Sequence, residues 1–148
     1  MCIRDRIWKT ESGKAQFTVP KHLSAAGFED APGRYRLITL RSNDQFNTTI
    51  YGYSDRLRGI EGTRDVLLMH PDEIVAAGLK EGQVVGLKTD AGDGVHRTVG
   101  GLTVTPFLLP RGCVASYYPE MNVLVPLAHH DQESKTPASK AVPVRIVV

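Results

Sequence analysis

The fold is decided by a strand pattern and a polar loop that follow each other in residues 34–49, RYRLITLRSNDQFNTT. Along the first half, Tyr35, Leu37 and Thr39 occupy every second position, so in a strand their side chains would lie on one face and those of the residues between them on the other. The β-branched and aromatic content also favours a strand. The second half, residues 41–49, has a single apolar member among amide, hydroxyl and charged side chains. We therefore predict a β-strand that leads directly into a polar loop.

Composition sets the outer limits of the interpretation. At 148 residues the chain has the size of one domain, and 41% hydrophobic with 23% charged residues excludes disorder throughout. The net charge of +2 is too small to indicate a nucleic-acid partner, and no apolar run approaches the roughly 18 residues of a membrane span. The 14 glycines and 9 prolines favour a turn-rich fold over a helical bundle. The sequence predicts a globular domain without nucleic acid or a membrane segment.

The two ends of the sequence and its cysteines predict the organisation of the chain. Residues 1–6, MCIRDR, are unlike the start of any element and are set aside as a leader, and residues 7–33 have the broken, Pro- and Gly-punctuated pattern of a linker. The domain proper is predicted to span residues 34–148. Because Cys2 and Cys113 are the only cysteines, there is no disulfide framework, and a reducing, cytoplasmic location is predicted.

The remaining elements are predicted to be short. A helix is expected from Pro71 to a left-handed cap at Gly78, with Ile74 and Val75 as its apolar face. Strands are predicted at residues 65–69, 83–89, 95–104 and 142–147, with a turn at 90–94. Six of the nine prolines follow residue 100, so that region is interpreted as short extended pieces and loops. An all-β barrel with one short helix and long loops fits this pattern better than a sandwich.

Known catalytic motifs do not account for the chain. No GxGxxG, Walker A or nucleophile-elbow motif occurs. His129, His130 and Asp131 are adjacent in sequence, but neighbouring side chains point apart in extended structure, which favours a solvated loop or a phosphate contact over a metal site.

The polar loop at residues 41–49 is the best candidate for ligand binding. Residues 34–64 contain six arginines, no lysine and three acidic residues. The excess of positive charge in this segment is larger than the net charge of +2 of the whole chain. Arginine pairs with phosphate, and amide or carboxylate groups read the edge of a heterocycle. A hydrogen-bonded turn with arginine salt bridges is the alternative. Residues 134–137, SKTP, hold a lysine flanked by hydroxyls, which suits a phosphate but is also ordinary turn composition.

Several segments together resemble one family. Residues 41–52, RSNDQFNTTIYG, and 56–60, RLRGI, look like the C-terminal domain of molybdopterin oxidoreductases, in particular the formate dehydrogenase-like alpha subunits of the dimethyl sulfoxide reductase superfamily. Residues 134–137 and 142–146 resemble its closing signature. Residues 8–17 resemble the link from a preceding domain.

This resemblance implies a double-psi β-barrel of the aspartate decarboxylase-like class, with residues 1–33 as leader and linker from a missing preceding domain. It implies binding of a bis-molybdopterin guanine dinucleotide cofactor with Mo or W, in a parent enzyme that oxidises formate. The metal ligand, a 4Fe–4S cluster and the catalytic residues belong to the upstream domains of the same polypeptide, which are its implied partners. Cofactor contacts carried over by motif are Arg41, Ser42, Asn43, Gln45, Asn47, Thr48, Thr49, Asn122 and Lys135.

Two other functions occur on the same kind of barrel. A stand-alone double-psi barrel, acting as a binding or adaptor module without redox chemistry, remains open, and an upstream reading frame with a cysteine cluster would exclude it. A self-processing pyruvoyl decarboxylase on the same barrel is set aside, because the sequence has no Gly-Ser pair at which such enzymes cleave.

Overall fold

The computed structural model describes residues 7–17, 19 and 28–148. The predicted leader and residues 18 and 20–27 of the predicted linker therefore lie outside the described residues, and the division at residue 34 stays a prediction. Within the described part, the elements are β1 (Tyr35–Leu40), β2 (Gln45–Phe46), β3 (Thr49–Ile50), β4 (Val66–Met69), α1 (Pro71–Ala76), β5 (Val84–Thr89), β6 (Thr98–Pro106), β7 (Cys113–Tyr117), a 3₁₀ helix (Glu120–Leu124) and β8 (Val142–Val147).

Six of the strands close a barrel in the order β1-β7-β4-β6-β5-β8, while β2 and β3 form a separate two-stranded ribbon. The pairs β1–β7 and β4–β6 are parallel, and the other neighbouring pairs are antiparallel. The predicted all-β fold with a double-psi barrel is confirmed.

Apolar residues pack on both sides of the barrel wall. Leu37 belongs to the main core together with side chains from all the other barrel strands, whereas Ile38 and Leu40 pack against a second cluster. That second cluster consists of Ile60, Val66, Leu68, Ala115 and Tyr117. Because β4 contributes to both cores, its four residues are apolar without a break and are all buried.

The predicted helix and most predicted strands are confirmed. His70 caps α1 by accepting a hydrogen bond from the Asp72 backbone N–H at 3.2 Å, and Gly78 follows the helix with a positive φ of 68°. The prediction for Val75 is wrong: only Ile74 is buried, because a six-residue helix turns just one narrow face to the core. No helix in the described part of the chain is long and apolar enough to span a bilayer.

Two strand predictions needed correction. The returning strand β6 begins at Thr98, three residues later than predicted, because a salt bridge between Asp93 and Arg97 holds the preceding residues in the turn. Strand β7, which lies between β1 and β4, falls in the region interpreted as short pieces and loops.

A glycine allows β5 and β6 to approach closely. The pairing of the two strands shifts register around Gly86, and a Cβ added there would lie 3.0 Å from the carbonyl oxygen of Val99. A Cβ added at Gly100, on the neighbouring strand, meets nothing within 4 Å.

We expect Gly86→Ala to lower the free energy of unfolding by about 1–3 kcal/mol, because the backbone must shift to relieve the clash. Gly100→Ala is the matched control and should be neutral or raise stability slightly, through a less flexible unfolded chain. Urea unfolding of both variants checks the prediction. Equal effects at the two positions would contradict the close-approach explanation.

Candidate functional site

A cleft of about 350 Å³ opens where β1 and β7 end. The two strands are parallel neighbours, with Leu40 beside Tyr117, so the residues that follow them emerge at the same edge of the barrel. We call this the Arg41 cleft; its lining consists of Thr39, Leu40, Arg41, Tyr118, Asn122, Thr136, Pro137, Ser139 and Lys140. The 3₁₀ helix supplies Asn122, and the loop before β8 supplies the last four residues.

The Arg41 cleft is positively charged. Arg41 donates from Nε to the Asn47 carbonyl oxygen at 3.0 Å, and its guanidinium lies 5.4 Å from the centre of the Tyr118 ring. Lys140 donates from Nζ to the carbonyl oxygen of Thr39. Partial burial lowers the pKa of Lys140, and the charge of Arg41 lowers it further. The described residues that line the cleft include no carboxylate, so an anion bound there would relieve this repulsion.

A buried arginine organises the polar loop from below. The Arg64 guanidinium donates to Ser42 Oγ at 2.7 Å, to Gln45 Oε1 at 3.0 Å and to the Tyr118 carbonyl oxygen at 2.7 Å. It also pairs with both carboxylate oxygens of Glu120, at 2.5 and 3.0 Å. The side chains of Ser42 and Gln45, predicted to touch the cofactor, therefore hold the loop in place beside the cleft.

Of the other predicted residues of the loop, three are exposed and Asn43 is partly buried. Asn47 has a positive φ of 52°, and its carbonyl oxygen accepts hydrogen bonds from Arg41 and from Gln45 Nε2. Thr48 and Thr49 are exposed in the turn and ribbon that follow. Asn43 donates to the neighbouring Asp44 carboxylate at 3.0 Å. These four side chains are not among those that line the Arg41 cleft.

The closing loop, residues 131–140, presents a different lysine from the one predicted. Asp131 accepts hydrogen bonds from the backbone N–H and the hydroxyl of Ser134, at 2.7 and 2.9 Å, and these bonds hold its pKa below the usual range. Lys135 lies in this turn with a positive φ of 58° and is exposed. The cleft is instead lined by Lys140. Of the nine predicted contacts, the structure brings Arg41 and Asn122 together in the cleft.

Sequence reasoning missed two other residues of the cleft, Ser139, which adds a hydroxyl group, and Tyr118, which adds an aromatic ring. Thr136, one of the hydroxyl residues of the predicted segment 134–137, also lines the cleft. The available signal was the second Ser-Lys pair, residues 139–140, which follows the first at 134–135.

A buried carboxylate supports the loop from the second apolar cluster. Asp55 is 1% exposed and accepts hydrogen bonds from Tyr117 Oη at 2.9 Å and from the Arg58 guanidinium. Arg58 in turn donates to the Arg41 carbonyl oxygen at 3.2 Å. Burial raises the pKa of Asp55, but the hydrogen bonds from Arg58 and Tyr117 outweigh burial and leave the pKa below its usual value. Burial, with the hydrogen bond to Asp55, raises the pKa of Tyr117 to about 12.

Comparison with known proteins gives a consistent family match. The family model described as "Molydopterin dinucleotide binding domain" matches residues 35–143. An uncharacterized oxidoreductase of Mycobacterium tuberculosis is 43% identical over 145 residues, which are 95% of this chain and 18% of the relative. Protein YdeP of Escherichia coli is 35% identical over 144 residues, 96% of this chain and 19% of that protein. The chain thus spans about a fifth of the length of these relatives.

A solved structure has a similar fold. Acetylene hydratase from Pelobacter acetylenicus superposes with a TM-score of 0.56 at 15% sequence identity, covering 76% of this chain and 18% of that one. At this identity the likeness supports the barrel fold alone.

Proposed function

Because the chain belongs to the molybdopterin dinucleotide binding domain family, we propose that it is the cofactor-binding domain of a longer molybdenum- or tungsten-dependent oxidoreductase. The observation that carries the proposal is the Arg41 cleft, where two cations face a polar pocket whose described lining has no carboxylate. The family match covers the strands and loops that form this cleft, and the relatives named as oxidoreductases are several times longer than this chain.

The residues of the cleft fit the dinucleotide. Its phosphate groups are anionic, and Arg41 and Lys140 supply a planar fork and a point charge for them. Asn122, Thr136 and Ser139 supply hydrogen-bonding groups that orient the ligand. When bound, such a cofactor supplies two-electron redox chemistry at its metal. Arg64 does not line the cleft, but its hydrogen bonds to Ser42 and Gln45 hold the loop that carries Arg41.

Finer assignments belong to the same proposal. We propose the bis-guanine form of the cofactor with Mo or W, a 4Fe–4S cluster and the metal ligand in upstream domains, and a cytoplasmic location. Formate is the proposed substrate, supported by the resemblance of residues 41–52 to formate dehydrogenase-like subunits. Ser42, Asn43, Gln45, Asn47, Thr48, Thr49 and Lys135 stay predicted contacts. Formate-dependent reduction of a dye by the full-length protein tests the substrate.

Replacing Arg41 tests the function itself. In the full-length protein, we expect Arg41→Ala to lower the metal content per polypeptide at least about tenfold, because charge-assisted bonds to phosphate contribute about 1.5–3 kcal/mol. Elemental analysis of purified protein measures the metal, and fluorescence of oxidised pterin released on denaturation measures the cofactor.

Arg56→Ala is the matched control, since this arginine is exposed in the same arginine-rich segment and does not line the cleft. It should retain wild-type metal and pterin. Unchanged metal content in a folded Arg41→Ala variant would refute the proposed function.

A further inference from the structure

The segment that leads into β1 lies against the barrel and has a defined shape. Residues 28–34, FEDAPGR, contain no strand or helix, and we call them the strap. The Arg34 N–H donates to the Ala31 carbonyl oxygen at 3.0 Å, and Gly33 has a positive φ of 68°. A proline followed by a glycine of positive φ at the two central positions is typical of a type II turn. The strap therefore reaches β1 through a closed turn.

A buried aromatic residue anchors the start of the strap. Phe28 is 3% exposed, and the guanidinium of Arg36, in β1, lies 4.5 Å from the centre of its ring. Phe17, earlier in the sequence, is 92% exposed. Because burial of a phenylalanine side chain is strongly favourable, Phe28 holds this end of the strap on the folded domain.

A carboxylate joins the other end of the strap to two elements of the barrel. Asp90, directly after β5, accepts hydrogen bonds from Arg34 Nε at 2.9 Å and from Arg145 Nε at 2.8 Å. Arg145, in β8, also donates from Nη1 to the Pro32 carbonyl oxygen at 2.8 Å. Asp90 is itself fixed, because its N–H donates to the Pro143 carbonyl oxygen at 2.8 Å. Since hydrogen bonds between charged groups are stronger than neutral ones, Asp90 and Arg145 close the strap against the barrel.

The attachments of the strap are separate from those that hold the barrel together. Residues 28–34 take no part in the pairing of β1 with β7 or with β8. A cavity of about 350 Å³ is lined by Glu29 and Arg34 of the strap together with residues of the 90–94 turn and Pro143 of β8. Polar bonds, more than packing, therefore hold this part of the strap. Segments with few buried contacts open locally at a lower free energy than the strands of a core.

We infer that the strap is a conformational device with a closed and an open state, and that the closed state fixes the direction in which the preceding chain joins the barrel. The strap meets the barrel at the start of β1, whereas the Arg41 cleft lies where β1 ends. In the longer enzyme of the proposed function, the closed strap sets the point at which a preceding domain is attached. The inference itself does not depend on the ligand of the cleft. It places the start of the folded domain at or before Phe28, instead of at Arg34.

Limited proteolysis of the full-length protein with trypsin tests the inference, with the cleavage rate of each bond followed by mass spectrometry. Three bonds report different events. The bond after Lys14 lies in an exposed segment, the bond after Arg34 ends the strap, and the bond after Lys88 lies within β5 and is cut only when the barrel unfolds. In the wild type, we expect cleavage after Arg34 to be at least about tenfold slower than after Lys14, and faster than after Lys88.

Removing either attachment should open the strap. We expect Asp90→Ala and Phe28→Ser each to raise the rate of cleavage after Arg34 at least about fivefold. The rate after Lys88 should stay at the wild-type value, because neither change removes a strand pairing. The two variants act at opposite ends of the strap, so a folding defect in one leaves the other as a test.

The chain offers a matched control for each variant. Asp93→Ala alters a carboxylate of the same turn that pairs with Arg97 and not with the strap, and Phe17→Ser alters an exposed phenylalanine. Both controls should be cut after Arg34 at the wild-type rate. Rates in the two strap variants equal to those of their controls would overturn the inference.

Two further outcomes would also overturn it. Equal rates after Lys14 and Arg34 in the wild type would mean that the strap is not closed. If cleavage after Arg34 rose only together with cleavage after Lys88, the strap would open only when the barrel unfolds. Failure of the proposed function has a different signature, unchanged metal content in Arg41→Ala, and it leaves the pattern of cleavage unaltered.

Discussion

Replacing Arg64 with alanine is expected to lower the free energy of unfolding by about 3 kcal/mol, the largest single-residue effect that we anticipate at the edge of the site. Breaking a buried ion pair from one side costs about 3–5 kcal/mol, because the remaining partner is left without its counter-charge. The lower end of this range applies to Arg64→Ala, because the Glu120 side chain is 28% exposed and keeps some access to water. Urea unfolding followed by far-UV circular dichroism measures the change.

The physical reason is the number of elements that one guanidinium joins. Arg64 connects the polar loop, the residue after β7 and the 3₁₀ helix, and its guanidinium lies 4.7 Å from the centre of the Tyr117 ring. Burial alone raises the pKa of Glu120, yet the hydrogen bonds from Arg64 leave that pKa below its usual value. Lysine has no planar fork, so Arg64→Lys should restore less than half of the lost stability.

An exposed arginine provides the comparison for Arg64. Arg111 pairs with Asp72 on the surface, where the two side chains are 69% and 59% exposed. Exposed pairs contribute about 0–1 kcal/mol, so Arg111→Ala should change stability little. If the two alanine variants lost the same free energy, burial of Arg64 would not be the source of its effect.

How far the sequence predicts this fold depends on whether a strand carries its own pattern. In residues 34–40 the side chains fit the two-residue period of a strand, and residues 83–89 are followed by a glycine-rich turn at 90–94. Both β1 and β5 could therefore be placed from local features of the sequence. Strand β7 could not, because Pro110 and Gly112 precede it and its sequence CVASY has little strand character. It is a strand because β1 and β4 lie on either side of it, and pairing between distant segments leaves no local signature.

The candidate site also combines features that a local sequence pattern predicts with features that depend on distant segments. The polar loop stands out by composition, and its place at the end of β1 follows from the strand before it. Composition does not show that Ser42 and Gln45 accept hydrogen bonds from Arg64, because Arg64 lies in a separate segment of the chain. The sequence likewise does not distinguish Lys140 from Lys135, because only the folded closing loop shows which lysine reaches β1.

The second large effect is expected at Asp55, where stability depends on pH. We expect Asp55→Asn to lower the free energy of unfolding at pH 7 by about 1.5–3 kcal/mol, the usual contribution of hydrogen bonds to a charged group. The carboxylate is buried, accepts from Tyr117, Arg58 and the Leu57 backbone N–H, and has no access to water that would replace them.

The direction of the pH dependence follows from the lowered pKa of Asp55. The unfolded chain takes up the proton at a higher pH than the folded one, so the stabilisation is complete above the unfolded pKa of about 3.9 and is lost as the pH falls through the folded pKa. The difference between wild type and Asp55→Asn should therefore be constant near neutral pH and shrink in acid, as measured by urea unfolding at a series of pH values. Asp93→Asn is the comparison, because the Asp93 side chain is 32% exposed, so solvent screens its pairing with Arg97 more than it screens the contacts of the buried Asp55 carboxylate. A difference between wild type and Asp55→Asn that stayed constant down to pH about 2 would mean that the charge of Asp55 does not stabilise the fold, and the loop beside the cleft would then depend on packing and on Arg64 alone.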